Sequence, residues 1–183
     1  MAARELWLRG VALDGHPDFF AHLARLHFSE DRDLDAWDMI LRGLRRLAER
    51  AARAGEWEAE ERGAGVLLQY LHEHLENRTA PADVVEALMD LRGMLGSEDR
   101  VYLGLCLAAS DKRVDARAEL VAANGVGDLA KEPRDLCVRS LLCLDVPDFE
   151  ARFARLTEAA ARGPKPAETI ADLQHWLQLQ PSF

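Results

Sequence analysis

The chain has 183 residues, long enough for one domain that buries well over half of its unfolded surface. Apolar residues make up 49% and charged residues 30%, which excludes a disordered composition. The formal charge of −9 argues against nucleic-acid binding, which draws most of its affinity from a basic surface, and favours basic partners.

The N-terminus mixes charged and apolar residues (Arg4, Glu5, Leu6, Trp7, Leu8, Arg9), unlike a secretory signal. Trp7 to Leu13 is the one segment open to an extended conformation. From there on, helix starts are legible. Pro17-Asp18, Pro81-Ala82-Asp83, Pro133-Arg134-Asp135, Pro147-Asp148 and Pro166-Ala167-Glu168 each place Pro in a first turn that has no N–H to lose. The adjoining carboxylate faces the positive end of the helix dipole.

A first helix is expected over about 17–28. A long one opens at Asp33 or Asp35, with Leu34, Trp37, Leu41, Leu44, Ala48 and Ala51 stepping by three and four and Ile40 and Leu47 widening the stripe. Gly55 ends it, and a second long helix of about 56–76 turns back as an antiparallel neighbour, with Trp57, Ala64, Leu68, Leu71 and Leu75 on one face. Gly63 and Gly65 weaken this helix by roughly 1 kcal/mol each, and a close approach or a kink is the expected compensation. Val84, Leu88, Leu91 and Leu95 form the next stripe. The run 101–109 is apolar all round; Ser97, Glu98 and Asp99 ahead of it favour a buried helix over a strand. A turn over 111–115, a short helix over 116–123 and a loop at Asn124-Gly125-Val126-Gly127 follow. Helices over 134–144, 147–162 and 167–179 complete the chain.

A segment recurs at a spacing of 65 residues. Asp18 to Leu26 aligns with Asp148 to Leu156, and a weaker copy runs from Asp83 to Leu91. The implied fold is all-α, with eight or nine helices in one domain over 1–183. They form either a short α/α superhelix of hairpins, with quasi-repeat units 17–80, 81–146 and 147–183, or an irregular bundle.

Chemistry-bearing motifs are sparse. His72 and His74 diverge by roughly 200° on a helix, so they cannot share one ion. Asp18 with His22, and Asp172 with His175, do share faces, yet no Glu-x-x-His or His-Glu-x-x-His occurs. The 124–127 loop lacks the rest of a phosphate-binding motif, and no Gly-x-Ser-x-Gly is present. Cys106, Cys137 and Cys143 are odd in number, lie among aliphatic residues and read as small apolar groups of a reduced, cytoplasmic protein. No catalytic, cofactor-binding or metal residues are assigned. Arg42, Arg46, Arg50 and Arg53 form one stripe that, with Trp57, is the candidate partner-binding set; pairing with nearby Glu residues is the competing role for the arginines.

Three of the 23 basic residues are Lys, and Ile and Asn occur twice each, the footprint of a high-GC bacterial genome. The sequence therefore points to a non-enzymatic adaptor or regulator that binds another protein, with no cofactor and no membrane span, and compatible with a homo-oligomer. A helical metal-dependent hydrolase or transferase is the alternative, and nucleic-acid binding through the Arg stripe the third.

Overall fold

The computed structural model describes residues 2–13, 15–53, 64–75, 77–126, 129–145 and 158. Eight helices are defined: α1 Ala2–Leu13, α2 Pro17–Ser29, α3 Asp33–Arg53, α4 Ala64–Leu75, α5 Ala82–Asp90, α6 Ser97–Ala109, α7 Arg113–Val126 and α8 Lys131–Asp145. The described residues contain no strand, so the all-α class is established. The expected helices over 147–162 and 167–179, the third copy of the recurring segment, Gly55, Trp57 and Gly63 lie outside the described residues.

Trp7 to Leu13 is helical rather than extended. A helical period explains it: Trp7 and Gly10, three apart, meet α2 together. The Trp7 ring stacks on His22 with centroids 5.1 Å apart, and Gly10 faces the Phe19 ring so closely that a Cβ would stand 2.7 Å from it.

Helix α2 starts as the sequence implies. Pro17 occupies its first turn, and His16 caps it by accepting the Asp18 N–H at 3.4 Å. At its far end lies a Schellman turn with Asp31 in the left-handed region (φ 57°). There the Arg32 N–H reaches His27 O at 2.9 Å and the Asp31 N–H reaches Phe28 O at 3.3 Å. Helix α3 then returns along α2.

The α6–α7 connection repeats this geometry 80 residues later. Asp111 has φ 60°, the Lys112 N–H reaches Leu107 O at 2.8 Å, and the Asp111 N–H reaches Ala108 O at 3.1 Å. Side chains correspond as well. Leu23 and Leu103, Ala36 and Ala116, and Ile40 and Leu120 are fully buried pairs at that offset. The two 13-residue helices α2 and α6 thus head matching hairpins. Of the 65-residue recurrence, Asp18 to Leu26 lies on α2, whereas Asp83 to Leu91 spans the nine-residue α5 and its cap.

Helices α2, α4, α6 and α8 follow one another in a row, each packed on the next; α3 and α5 form a second row, with α5 also touching α6. One core joins α2 to α6, and a second joins α6, α7 and α8 through Val101, Leu105, Leu120, Cys137 and Leu141. The expected burial holds for Leu68, Leu71, Leu75, Val84, Leu88, Leu91 and Leu95. Leu34 departs from it: at the second position of α3 it precedes the first buried turn and is 87% exposed, and the inward face is centred on Ala36, Ile40, Leu44 and Leu47. Helix α4 packs chiefly on α2 and α6, and only secondarily on α3. Gly65 is not a close-approach site, since a Cβ there would meet only Asp99 Oδ1 at 3.6 Å. Gly43 is one: its Cβ would stand 2.9 Å from Leu67 and 3.0 Å from Phe20, where α2, α3 and α4 converge.

Helix α7 begins at Arg113 and includes Asn124, Gly125 and Val126, so the expected turn over 111–115 shortens and the 124–127 loop becomes the end of a helix. Burial of Ala116, Leu120 and Ala123 along one face holds it helical despite the weak formers Asn124 and Gly125.

Candidate functional site

Three connections lie side by side on one edge. Arg78, in the α4–α5 linker, pairs with Asp33 at the start of α3 and sets its guanidinium 4.5 Å from the centre of the Phe28 ring. Phe28 in turn stacks on His74 (4.6 Å) and meets Trp37 edge-on (5.3 Å). Tyr70 Oη and His74 Nε2 are 2.9 Å apart. Burial holds the His74 ring toward its neutral form, with Arg78 and Arg25 adding to the effect, and pushes the Tyr70 hydroxyl up to about 12. This aromatic cluster fixes the linker against the α2–α3 turn.

On its other side the linker faces the α6–α7 turn across a groove. One part, of about 420 Å³, is lined by Arg78, Thr79, Ala80, Val85, Ser110 and Asp111 among others. An adjoining part of about 540 Å³ shares Val85 and Ser110 and runs along α5 past Ala82, Glu86, Met89 and Asp90 to Lys112. Those α5 positions recur at three and four, so they form one helical face. Leu34 and Val114 sit at equivalent places beside the two matching turns and are 87% and 83% exposed.

Behind the groove a polar network holds α5, α6 and α7 together. Glu119 is buried and accepts the Gly93 N–H at 3.0 Å, Arg92 pairs with Asp115, and Arg100 donates to Leu95 O and Gly93 O. Gly93 has φ +70°, so a residue with a free left-handed conformation suits this turn.

The arginine stripe of α3 is spread over different environments. Arg42 pairs with Asp38 at 2.9 Å, and Arg46 with Glu49 at 2.8 Å. Arg46 also lies over the α1–α2 turn, its Nε 3.1 Å from where a Gly15 Cβ would be. Arg50 is half-buried near Asp18, where its charge counters the burial that raises the Asp18 carboxyl; His16 and His22 counter it too. The Arg53 side chain lies outside the described residues. Carboxylates of the same helix thus occupy Arg42 and Arg46.

No three His, Cys, Asp or Glu side chains gather as a metal site among the described residues. Asp18 and His22 do share a face, but His22 is stacked on Trp7; Asp172 and His175 lie outside the described residues. Cys106 and Cys137 donate to Leu68 O (3.3 Å) and Leu120 O (3.2 Å), and burial pushes both thiols up, Cys137 to about 11. Both act as apolar core groups that satisfy a carbonyl. Among the described residues no helix is long and apolar enough to cross a membrane.

The groove and its flanking residues were missed by the sequence reading, although a signal was present. Asp31-Arg32-Asp33-Leu34-Asp35-Ala36 and Asp111-Lys112-Arg113-Val114-Asp115-Ala116 share Asp, a basic residue, an aliphatic residue, Asp and Ala at the same spacing. Comparison of the chain with protein-family models, curated proteins and solved structures gives no match.

Proposed function

We propose that this chain is a non-enzymatic, cytoplasmic adaptor or regulator of a high-GC bacterium, and that it binds another protein along the edge formed by its inter-helix turns. The observation that carries this reading is the matched pair Leu34 and Val114, exposed beside two turns of the same geometry, the second of which borders the groove along α5. Rigid helices behind the turns hold the surface in one shape, which lowers the ordering entropy that binding must overcome.

The test is affinity isolation from the source cells, identification of the bound protein, and reconstitution with that protein purified. Leu34→Asp with Val114→Asp should abolish the complex and leave the fold intact, since both positions open a helix where a carboxylate suits the dipole. Arg42→Glu with Arg46→Glu should retain it. Loss only with the Arg pair would move the contact to the α3 stripe, and an identical protein set for all three forms would refute specific binding through the edge.

A further inference from the structure

We infer that the groove between α5 and the α6–α7 turn receives a Lys- or Arg-bearing segment of the partner, whose side-chain stems lie on Val85 and Met89 and whose cations meet Glu86, Asp90 and Asp111. This rests on the protein-binding reading above and names the chemistry of the partner.

The groove has an aliphatic floor and an acidic rim. Val85 and Met89 are half-buried, with apolar surface facing the space, whereas Glu86, Asp90 and Asp111 are exposed. Glu86 and Asp90 stand four apart on α5 and so project from one side. None of the three carboxylates is paired with a cation among the described residues, in contrast to Asp33, Asp35, Asp38, Asp115 and Asp145, each held by an arginine. Of the two cations on the lining, Arg78 is engaged by Asp33, which leaves Lys112 against three carboxylates.

A long side chain with an apolar stem and a charged tip matches that arrangement atom type for atom type. An acidic or phosphorylated segment would face like charge, which costs affinity and slows encounter. The Ser110 hydroxyl, at the junction of the two parts of the groove, is buried and has no hydrogen-bond partner among the described residues.

The experiment uses the full chain and two fluorescent peptides read by anisotropy, one of repeated Lys-Leu-Ala and one of repeated Glu-Leu-Ala. The basic peptide should bind and the acidic one should not. Glu86→Gln with Asp90→Asn and Asp111→Asn should weaken binding by about tenfold, as should raising the salt from 0.05 to 0.5 M. Glu86→Lys with Asp90→Lys should invert the preference toward the acidic peptide. Neutralising Glu5, Glu73 and Glu98, on other helices, should leave binding within about twofold; an equal loss there would assign the effect to net charge and overturn the inference. So would binding of neither peptide, or a concentration-dependent dimer in light scattering that the groove variant abolishes. If neither peptide binds while Leu34→Asp with Val114→Asp still releases the identified partner, the adaptor reading stands and the cation groove falls.

Discussion

The same substitution, Gly to Ala, should act with opposite sign at two helical positions. At Gly104 an added Cβ would stand 2.7 Å from Leu120 Cγ, 3.0 Å from its Cδ2 and 3.2 Å from Ala116 O. Leu120 is fully buried and cannot swing away, and the third neighbour is backbone. The better helix propensity of Ala contributes about 0.5–1 kcal/mol, but forcing one carbon into a packed interface costs about 1–3 kcal/mol. A net loss of up to about 2.5 kcal/mol follows for Gly104→Ala. At Gly65 a Cβ would meet only Asp99 Oδ1, at an ordinary 3.6 Å, so the propensity gain of about 0.5–1 kcal/mol is retained. For a chain of this size each kcal/mol moves the midpoint of thermal unfolding by about 2–4 °C. Urea titrations followed by far-ultraviolet circular dichroism should therefore place the two midpoints on opposite sides of the parent, with the denaturant slope unchanged. Should Gly104→Ala stabilise as much as Gly65→Ala, α6 and α7 would not be in the close contact described, and the reasoning would fail.

Other outcomes are expected from the same geometry. Asp31 and Asp111 hold left-handed backbone (φ 57° and 60°), so Asp111→Gly should raise stability by about 0.5–1 kcal/mol and Asp111→Val should lower it by about 1–2 kcal/mol, read from urea midpoints. His74 has a folded value held below its ordinary 6.5, so the unfolded chain binds its proton first; stability should fall as the pH drops below 6.5, and His74→Gln should flatten that part of the profile between pH 7.5 and 5. Persistence of the full slope in His74→Gln would assign it to another group. In native thiol titration Cys143, which is half-buried, should react ahead of Cys106 and Cys137, and simultaneous reaction of all three before unfolding would contradict the burial of the last two.

What could be read in advance follows from where the physics is local. Pro17 with Asp18 marks the start of α2 because a first turn depends only on nearby backbone, and Val84, Leu88 and Leu91 mark the buried face of α5 and its cap, while Leu95 is buried from the turn beyond it. The run 101–109 is apolar on every side because α4, α7 and α8 all surround α6. Leu34 was misplaced because periodicity gives a direction around an axis and says nothing of whether a neighbour extends far enough to cover the first turn. Helix α1 was missed because its partners, His22 and Phe19, belong to another element. The groove depends on the pairing of Arg78 with Asp33, 45 residues apart, and on two turns brought to one edge. Spacing along the chain carries no such information, although the repeated Asp-basic-x-aliphatic-Asp-Ala pattern would have tied the two turns together.

Helix α6 belongs to both cores at once: Leu103, Cys106 and Leu107 lie in one, Val101 and Leu105 in the other. Stacks of hairpins ordinarily come apart piecewise, since each unit touches only its neighbours. Here the two halves share an axle. Loosening either side strips cover from the same 13 residues and exposes the opposite side, so partial opening is penalised twice. The stretch from α2 to α8 should accordingly melt as one cooperative block, and its slowest-exchanging amides should be those of α6.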